Sequence, residues 1–239
     1  HTNRRVLTIS LGKYRGTGLT EAALRGGDFV DAVGYNARVT YALEALSSRT
    51  PTTVYLYWGE IDAAGHRYGV GSDEWLQQLE ELNSALKRLA ERAPAWAALF
   101  VTADHGMVNV PEHQRIDYSG VEELTRNIAM TAGEPRAVHL YLEDTSEAAR
   151  TATAQRWAQY WGERAWVIDS HELMRAGYFG PVITDAARGR IGDLMVCARD
   201  DWALYDMRHY QERALHMVGQ HGSLTDAERL VPLRMLKTF

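Results

Sequence analysis

Three short stretches of the sequence combine aspartate and histidine in a way that suits metal binding. In the first, Asp62 and His66 are four residues apart, so one helical turn would place the carboxylate and the imidazole on the same side. In the second, Asp104 and His105 follow an apolar run and precede a glycine. In the third, His221 lies between two glycines, which allow the backbone to come close to an ion.

Each stretch alone also has an ordinary structural explanation. The first pair fits a capping aspartate and a solvated histidine, the second an Asx turn at a strand end, and the third a surface loop. Their joint occurrence is more specific. Two carboxylates and three imidazoles without a thiolate suit Zn²⁺ first, with Mn²⁺ or another divalent ion as the alternative. Two such ions ~3.5–4 Å apart would stabilise the attacking and leaving oxygens of a displacement at phosphorus.

Apolar runs precede two of the three stretches and are predicted to position them. Residues 54–58 and 97–102 are almost entirely apolar or aromatic, as in strands buried on both faces. We expect these two strands to be neighbours in one sheet, because their ends must bring Asp62 and Asp104 into one crevice. The alternation of strands and helices predicts an α/β fold, layered, with a mainly parallel sheet and helices on both faces.

Periodicity and composition predict the other elements of the chain. Further strands are expected over residues 5–11, 137–142, 165–168 and 194–198. Helices are expected over residues 28–46, 121–130 and 147–161, together with a long helix that Ser72 caps and Pro94 stops. Residues 111–190, between the second and third stretches, are expected to form a small cap-like excursion.

Composition excludes several classes of protein. The 239 residues carry a net charge of −5 with scattered Lys and Arg, so no nucleic-acid surface is expected. The single cysteine, Cys197, excludes an internal disulfide and a thiolate zinc site. No apolar stretch reaches the ~18 residues of a membrane span. No signal peptide is visible, and the localisation is left open.

The three stretches, in this order, resemble the C-terminal metal motifs of the nucleotide pyrophosphatase/phosphodiesterase family of the alkaline phosphatase superfamily. The matching runs are residues 57–69, 102–107 and 219–225, with lesser similarities at residues 18–20, 133–136 and 190–193. The resemblance covers essentially the whole chain. It implies an alkaline-phosphatase-like fold and a metal-dependent hydrolase of phosphodiester or pyrophosphate bonds, acting on a small phosphoester or a nucleotide.

The resemblance also implies a division of the ligands between two zinc ions. Asp62, His66 and His221 would hold one ion. Asp104 and His105 would hold the second, together with an earlier aspartate and a Thr or Ser nucleophile. No residue of this sequence matches that nucleophile, so no catalytic side chain is assigned. Residues 1–239 are therefore expected to be the C-terminal part of the catalytic domain, inactive alone, with the N-terminal segment of the same enzyme as its partner.

Other functions remain open at this point. A sulfatase or phosphomonoesterase of the same superfamily would use the same ligand set, and so would a phosphonate-cleaving enzyme. A non-catalytic metal-binding paralogue is the alternative from a different class. Structural zinc sites are usually closed and rich in cysteine, which disfavours that last alternative.

Overall fold

The computed structural model describes residues 4–48 and 50–238. Its helices and strands form a mixed α/β structure, which confirms the predicted fold class. The chain divides into two compact units. The first unit comprises residues 1–64, 71–103 and 232–239, and the second unit comprises residues 65–70 and 104–231.

The helices and strands follow one another along the whole chain. The strands are β1 (Arg5–Ser10), β2 (Asp28–Asp31), β3 (Thr52–Leu56), β4 (Leu99–Thr102), β5 (Val108–Asn109), β6 (Arg115–Asp117), β7 (Ile128–Glu134), β8 (Ala137–Leu142), β9 (Ala165–Asp169), β10 (Leu194–Ala198), β11 (Ala203–Tyr205), β12 (Gly219–Gln220) and β13 (Leu233–Lys237). The helices are α1 (Gly18–Ala23), α2 (Gly34–Ser47), α3 (Glu60–Tyr68), α4 (Asp73–Arg92), α5 (Glu122–Thr125), α6 (Glu147–Trp161), α7 (Ser170–Arg175), α8 (Asp185–Arg188) and α9 (Asp226–Arg229).

A three-stranded parallel sheet in the order β2-β1-β3 forms the centre of the first unit. The central strand β1 buries Leu7 and Ile9, which are 3% and 0% exposed. Helix α2 packs against this sheet and against α4. Ser72 caps α4 by accepting the backbone N–H of Trp75 at 3.2 Å, as predicted, and Pro94 follows the end of the helix.

Two predictions about the first unit are wrong. The strands predicted at 54–58 and 97–102 are not paired with each other among the described residues, because β3 pairs with β1 whereas β4 pairs antiparallel with β13. The helix predicted over 28–46 begins only at Gly34, because residues 28–31 form β2 beside β1. Phe29 and Val30 are good strand formers, and pairing with β1 outweighs the local helical pattern.

An antiparallel sheet in the order β7-β8-β10-β9 forms the core of the second unit. Helix α6 packs Trp157 and Trp161, both fully buried, against this sheet. The predictions for α6, β8, β9 and β10 are confirmed to within one residue. Parallel pairing occurs in this unit between β6 and β11, so the parallel sheet expected from the sequence is restricted to part of the molecule.

The helix predicted over residues 121–130 is confirmed only in its first half, and its last three residues are strand. Helix α5 ends at Thr125, and β7 begins at Ile128. Between them Asn127 has a φ of 64°, a left-handed conformation that asparagine tolerates and that ends a helix. The cap-like excursion over residues 111–190 stays a prediction. Within the described part of the chain, no helix is both long enough and apolar enough to cross a membrane.

Candidate metal centre

The short strands β5 and β12 bring two of the predicted ligands together in the second unit. They pair antiparallel, with Gln220 opposite Val108. His221 directly follows β12, and His105 lies three residues before β5. The two imidazole rings stack with centroids 3.5 Å apart and planes 15° apart. Each ring offers a nitrogen within 4.8 Å of the other.

His66 joins this pair from the C-terminal half of α3. Its ring centroid lies 5.0 Å from that of His221. Its Nδ1 lies 2.8 Å from the carbonyl oxygen of Gly219, and its own carbonyl accepts the N–H of Val218. Because a carbonyl oxygen can only accept, Nδ1 carries the proton, and Nε2 is the nitrogen that a metal would bind.

The imidazole of His105 is oriented in the same way, by a different carbonyl group. Its Nδ1 lies 2.9 Å from the oxygen of Gly106, so its Nε2 also carries the lone pair. Asp104 places a carboxylate oxygen 3.7 Å from that Nε2, and its side chain is 63% exposed. This carboxylate therefore lies on the open side of the site.

Asp62 lies on α3, one helical turn before His66. Its side chain is half-buried, and the four-residue spacing directs it to the same side of the helix as the imidazole of His66. The first turn of this helix also contains Glu60, which accepts two hydrogen bonds from Arg38 at 2.7 and 2.8 Å. Helix α3 is therefore held at the end that carries Asp62.

Two glycines allow the close approach of the loops that carry the histidines. A Cβ atom on Gly106 would lie 2.0 Å from the carbonyl oxygen of Ala227, and one on Gly219 would lie 2.3 Å from that of Gly65. Both neighbours are backbone atoms, which cannot move away easily. Glycine is thus required beside His105 and before His221, which accounts for the glycine-rich character of the motifs.

The donor set fits a divalent metal ion. Three neighbouring imidazoles, two of them with Nδ1 on a carbonyl oxygen, match the way in which histidine ligands are oriented in metal sites. The single thiol plays no part. Burial is the main cause that raises the pKa of the Cys197 thiol to about 11, and the nearby charge of Glu228 is the second cause. Cys197 lies in β10 and is buried.

The order and geometry of these motifs agree with a comparison of the chain with known families. Residues 10–224 match the model of the type I phosphodiesterase/nucleotide pyrophosphatase family. The chain belongs to this family. The predicted resemblance to the nucleotide pyrophosphatase/phosphodiesterase family is thereby confirmed.

Relatives and similar structures agree with this assignment. The bovine bis(5′-adenosyl)-triphosphatase ENPP4 is 31% identical over 101 residues, which are 39% of this chain and 22% of that protein. Human ectonucleotide pyrophosphatase/phosphodiesterase 5 shares the fold with a TM-score of 0.66 at 16% identity, over 95% of this chain and 59% of that one. Phosphonoacetate hydrolase from Sinorhizobium meliloti has a TM-score of 0.60 at 18% identity, over 99% of this chain and 66% of that one.

The residues that hold the loops in place were not predicted from the sequence. Arg136 and Glu228 form a fully buried ion pair, and Asn109 binds both backbone groups of Val70 with its amide. A signal was present for the ion pair, since Arg136 belongs to the 133–136 similarity and Glu228 follows the third motif. For Asn109 the only signal is its position in β5, shortly after the second motif.

Proposed function

We propose that this protein is, in its intact form, a metal-dependent hydrolase of phosphodiester or pyrophosphate bonds. The observation that carries the proposal is the convergence of His66, His105 and His221 in a chain of the type I phosphodiesterase/nucleotide pyrophosphatase family. The chain spans 22% of its bovine relative and 59% of the human protein of similar fold. Its activity and substrates are accordingly proposed rather than transferred.

The proposed site contains five protein ligands for two divalent ions, with zinc as the expected metal. Asp62, His66 and His221 would hold one ion, and Asp104 and His105 would contribute to the other. Bound divalent ions would stabilise negative charge on the oxygens of a reacting phosphoryl group. The residues of the chain itself orient the ligand nitrogens through the carbonyl groups of Gly219 and Gly106.

A nucleotide or another small phosphoester is the proposed substrate. Two comparisons support this class. The bovine relative carries the name of a bis(5′-adenosyl)-triphosphatase. An inactive variant of murine ectonucleotide pyrophosphatase/phosphodiesterase 5, which has a TM-score of 0.65 to this chain at 16% identity, was solved in complex with AMP.

The proposed mechanism uses a Thr or Ser nucleophile that lies outside residues 1–239. The family resemblance assigns this role to no residue of the sequence, and we therefore propose that another segment of the same enzyme supplies it. The nucleophile would form a covalent phospho-enzyme. The charge of the transition state would be stabilised at the site described above.

Metal content tests the proposed ligands directly. We expect the purified chain to contain zinc or another divalent ion, measured by elemental analysis. Substitution of Asp62, His66 or His221 by alanine should remove it, because each change deletes a ligand of the same ion. His113→Ala and His171→Ala are the controls and should retain the metal. Unchanged metal content in all three ligand variants would show that the assignment is wrong.

Hydrolysis of a bis-aryl phosphate tests the position of the nucleophile. Residues 1–239 alone are expected to bind metal but to show only background turnover. Addition of the N-terminal segment, fused or as a separate chain, should restore hydrolysis that a chelator abolishes. Chelator-sensitive hydrolysis by the chain alone would place the nucleophile within it. Failure of the complete enzyme to hydrolyse phosphoesters, with metal bound, would favour a non-catalytic metal-binding protein.

A further inference from the structure

A buried ion pair of the second unit is hydrogen-bonded to the loops that carry His105 and His221. Arg136 donates from Nε and Nη2 to the two carboxylate oxygens of Glu228, each at 2.7 Å. The two side chains are 0% and 1% exposed. Arg136 also donates to the carbonyl oxygens of Trp202 and Ala198. The position of Glu228 is therefore fixed from one side by a planar, two-pronged donor.

Glu228 binds both loops that carry the histidines of this unit. Its carboxylate accepts the backbone N–H of Ser223 at 3.0 Å, two residues after His221. Its backbone carbonyl accepts the N–H of Gly106 at 2.7 Å, next to His105. One residue thus holds two segments that are more than a hundred positions apart in the sequence.

Further contacts restrict the same loops. Thr225 donates its hydroxyl to the carboxylate of Glu228, and Ser223 donates its hydroxyl to Ala198. The backbone of Ala227 lies so close to Gly106 that no Cβ fits between them. A shift of Glu228 would therefore be transmitted to both histidine loops, because packed backbone atoms leave no room for independent adjustment.

We propose that Glu228, held by Arg136, is a positioning residue that sets the separation of His105 and His221 for metal binding. The inference rests on the proposed metal function of these histidines. Neither Glu228 nor Arg136 is proposed to touch the ion. A buried ion pair contributes little net stability compared with apolar residues of the same volume, whereas its directional hydrogen bonds fix the geometry of the groups around it.

The test measures zinc affinity and the visible absorption spectrum of the Co²⁺-loaded chain. Glu228→Gln keeps the shape of the side chain but removes its charge. We expect its zinc affinity to fall about 10- to 100-fold, as for other residues that orient metal ligands, and its cobalt spectrum to change. Asp169→Asn is the matched control. It breaks the partly exposed Arg150–Asp169 pair of the same unit, 2.8 Å long, and should leave both readouts unchanged.

A milder variant covers the case in which Glu228→Gln does not fold. Thr225→Val removes one hydrogen bond to Glu228 and should lower zinc affinity by a smaller factor in the same direction. The inference is overturned if the folded Glu228→Gln variant, or Thr225→Val in its place, binds zinc like the unaltered chain with the same cobalt spectrum. A loss of stability without those changes would show a purely structural role.

A metal-free readout separates this inference from the proposed function. Imidazole NMR signals of the metal-free chain should shift at both His105 and His221 in Glu228→Gln. Failure of the unaltered chain to bind any divalent ion would refute the proposed function, and these signals would still report on the positioning. Normal metal binding by the unaltered chain, combined with unmoved signals at both histidines, would refute the positioning alone.

Discussion

Each of the two units contains, among its described residues, an arginine–glutamate pair with two parallel hydrogen bonds, and these two pairs differ in burial. In the first unit Arg38 is 1% exposed but its partner Glu60 is 27% exposed. In the second unit Arg136 and Glu228 are both at or below 1%. Each pair supports a segment with predicted ligands: Glu60 lies in the first turn of α3, before Asp62, whereas Glu228 binds the loops of His105 and His221.

The difference in burial determines whether water can hydrate the carboxylate of each pair when its arginine is lost. Burial raises the pKa of the Glu60 carboxyl, but the hydrogen bonds and charge of Arg38 outweigh it, and the net pKa is lowered. The same balance, with hydrogen bonds from Arg136 and Thr225, lowers the pKa of Glu228. Because Glu60 reaches the surface, water can hydrate its carboxylate when Arg38 is lost. Water cannot hydrate the carboxylate of Glu228 unless the core opens.

The largest expected effect is the loss of the arginine from the fully buried pair. Arg136→Met leaves the Glu228 carboxylate buried without its charge partner, which should destabilise the protein by about 3–5 kcal/mol. Urea unfolding measures this cost, with the reactivity of the buried Cys197 thiol as the probe of the second unit. The double variant Arg136→Met, Glu228→Leu should recover part of the loss. A cost no larger than for a surface substitution would contradict the argument.

The first unit should show an asymmetry that the second unit lacks. Glu60→Leu removes the charge partner of the buried Arg38 guanidinium, which then retains, among the described residues, only the carbonyl of Ala32 as an acceptor. Arg38→Met leaves a carboxylate that can be hydrated, and should cost only the hydrogen bonds, about 1.5–3 kcal/mol. We expect Glu60→Leu to be the more damaging of the two in urea unfolding. Equal costs would show that exposure of Glu60 does not matter.

Acid should weaken the protein through the same two carboxyl groups. Both have a pKa below the ordinary 4.5 in the folded state, so the unfolded chain binds more protons below that pH. Their stabilising contribution is fully present above about pH 4.5 and is lost as the pH falls through the lower folded-state pKa. The free energy of unfolding should therefore rise with pH across this acid range. Glu228→Gln should flatten that rise, and a variant with the same slope as the unaltered chain would contradict this.

The sequence predicted local structure best where one local signal had no competitor. Ser72, followed by Asp73 and Glu74, correctly predicts the start of α4, and the apolar run at residues 194–198 correctly predicts both ends of β10. The predictions were wrong where a segment pairs with a strand elsewhere in the sequence: residues 28–31 pair with β1, and β4 pairs with β13. Long-range pairing depends on the whole sheet, so a local pattern could not reveal it.

The candidate site shows the same division between local and distant information. The types and spacing of Asp62 and His66, of Asp104 and His105, and of His221 were readable, because metal ligands are chemically distinctive. The residues that hold these ligands in place could not be recognised from the sequence. Arg136 and Glu228 are separated by 92 positions, and only the fold reveals that this charged pair is buried and binds both histidine loops.

The smallest expected effect concerns an ion pair that lies beside Glu228 in the sequence. Arg229 and Asp226, in the same short helix α9, form a pair of 2.6 Å whose side chains are 57% and 72% exposed. Exposed pairs contribute about 0–1 kcal/mol, because water and salt screen both charges. Arg229→Ala should therefore leave urea unfolding and zinc affinity nearly unchanged, although the residue adjoins Glu228. A loss of zinc affinity comparable to that of Glu228→Gln would mean that the whole of α9, rather than the buried carboxylate, positions the two histidine loops.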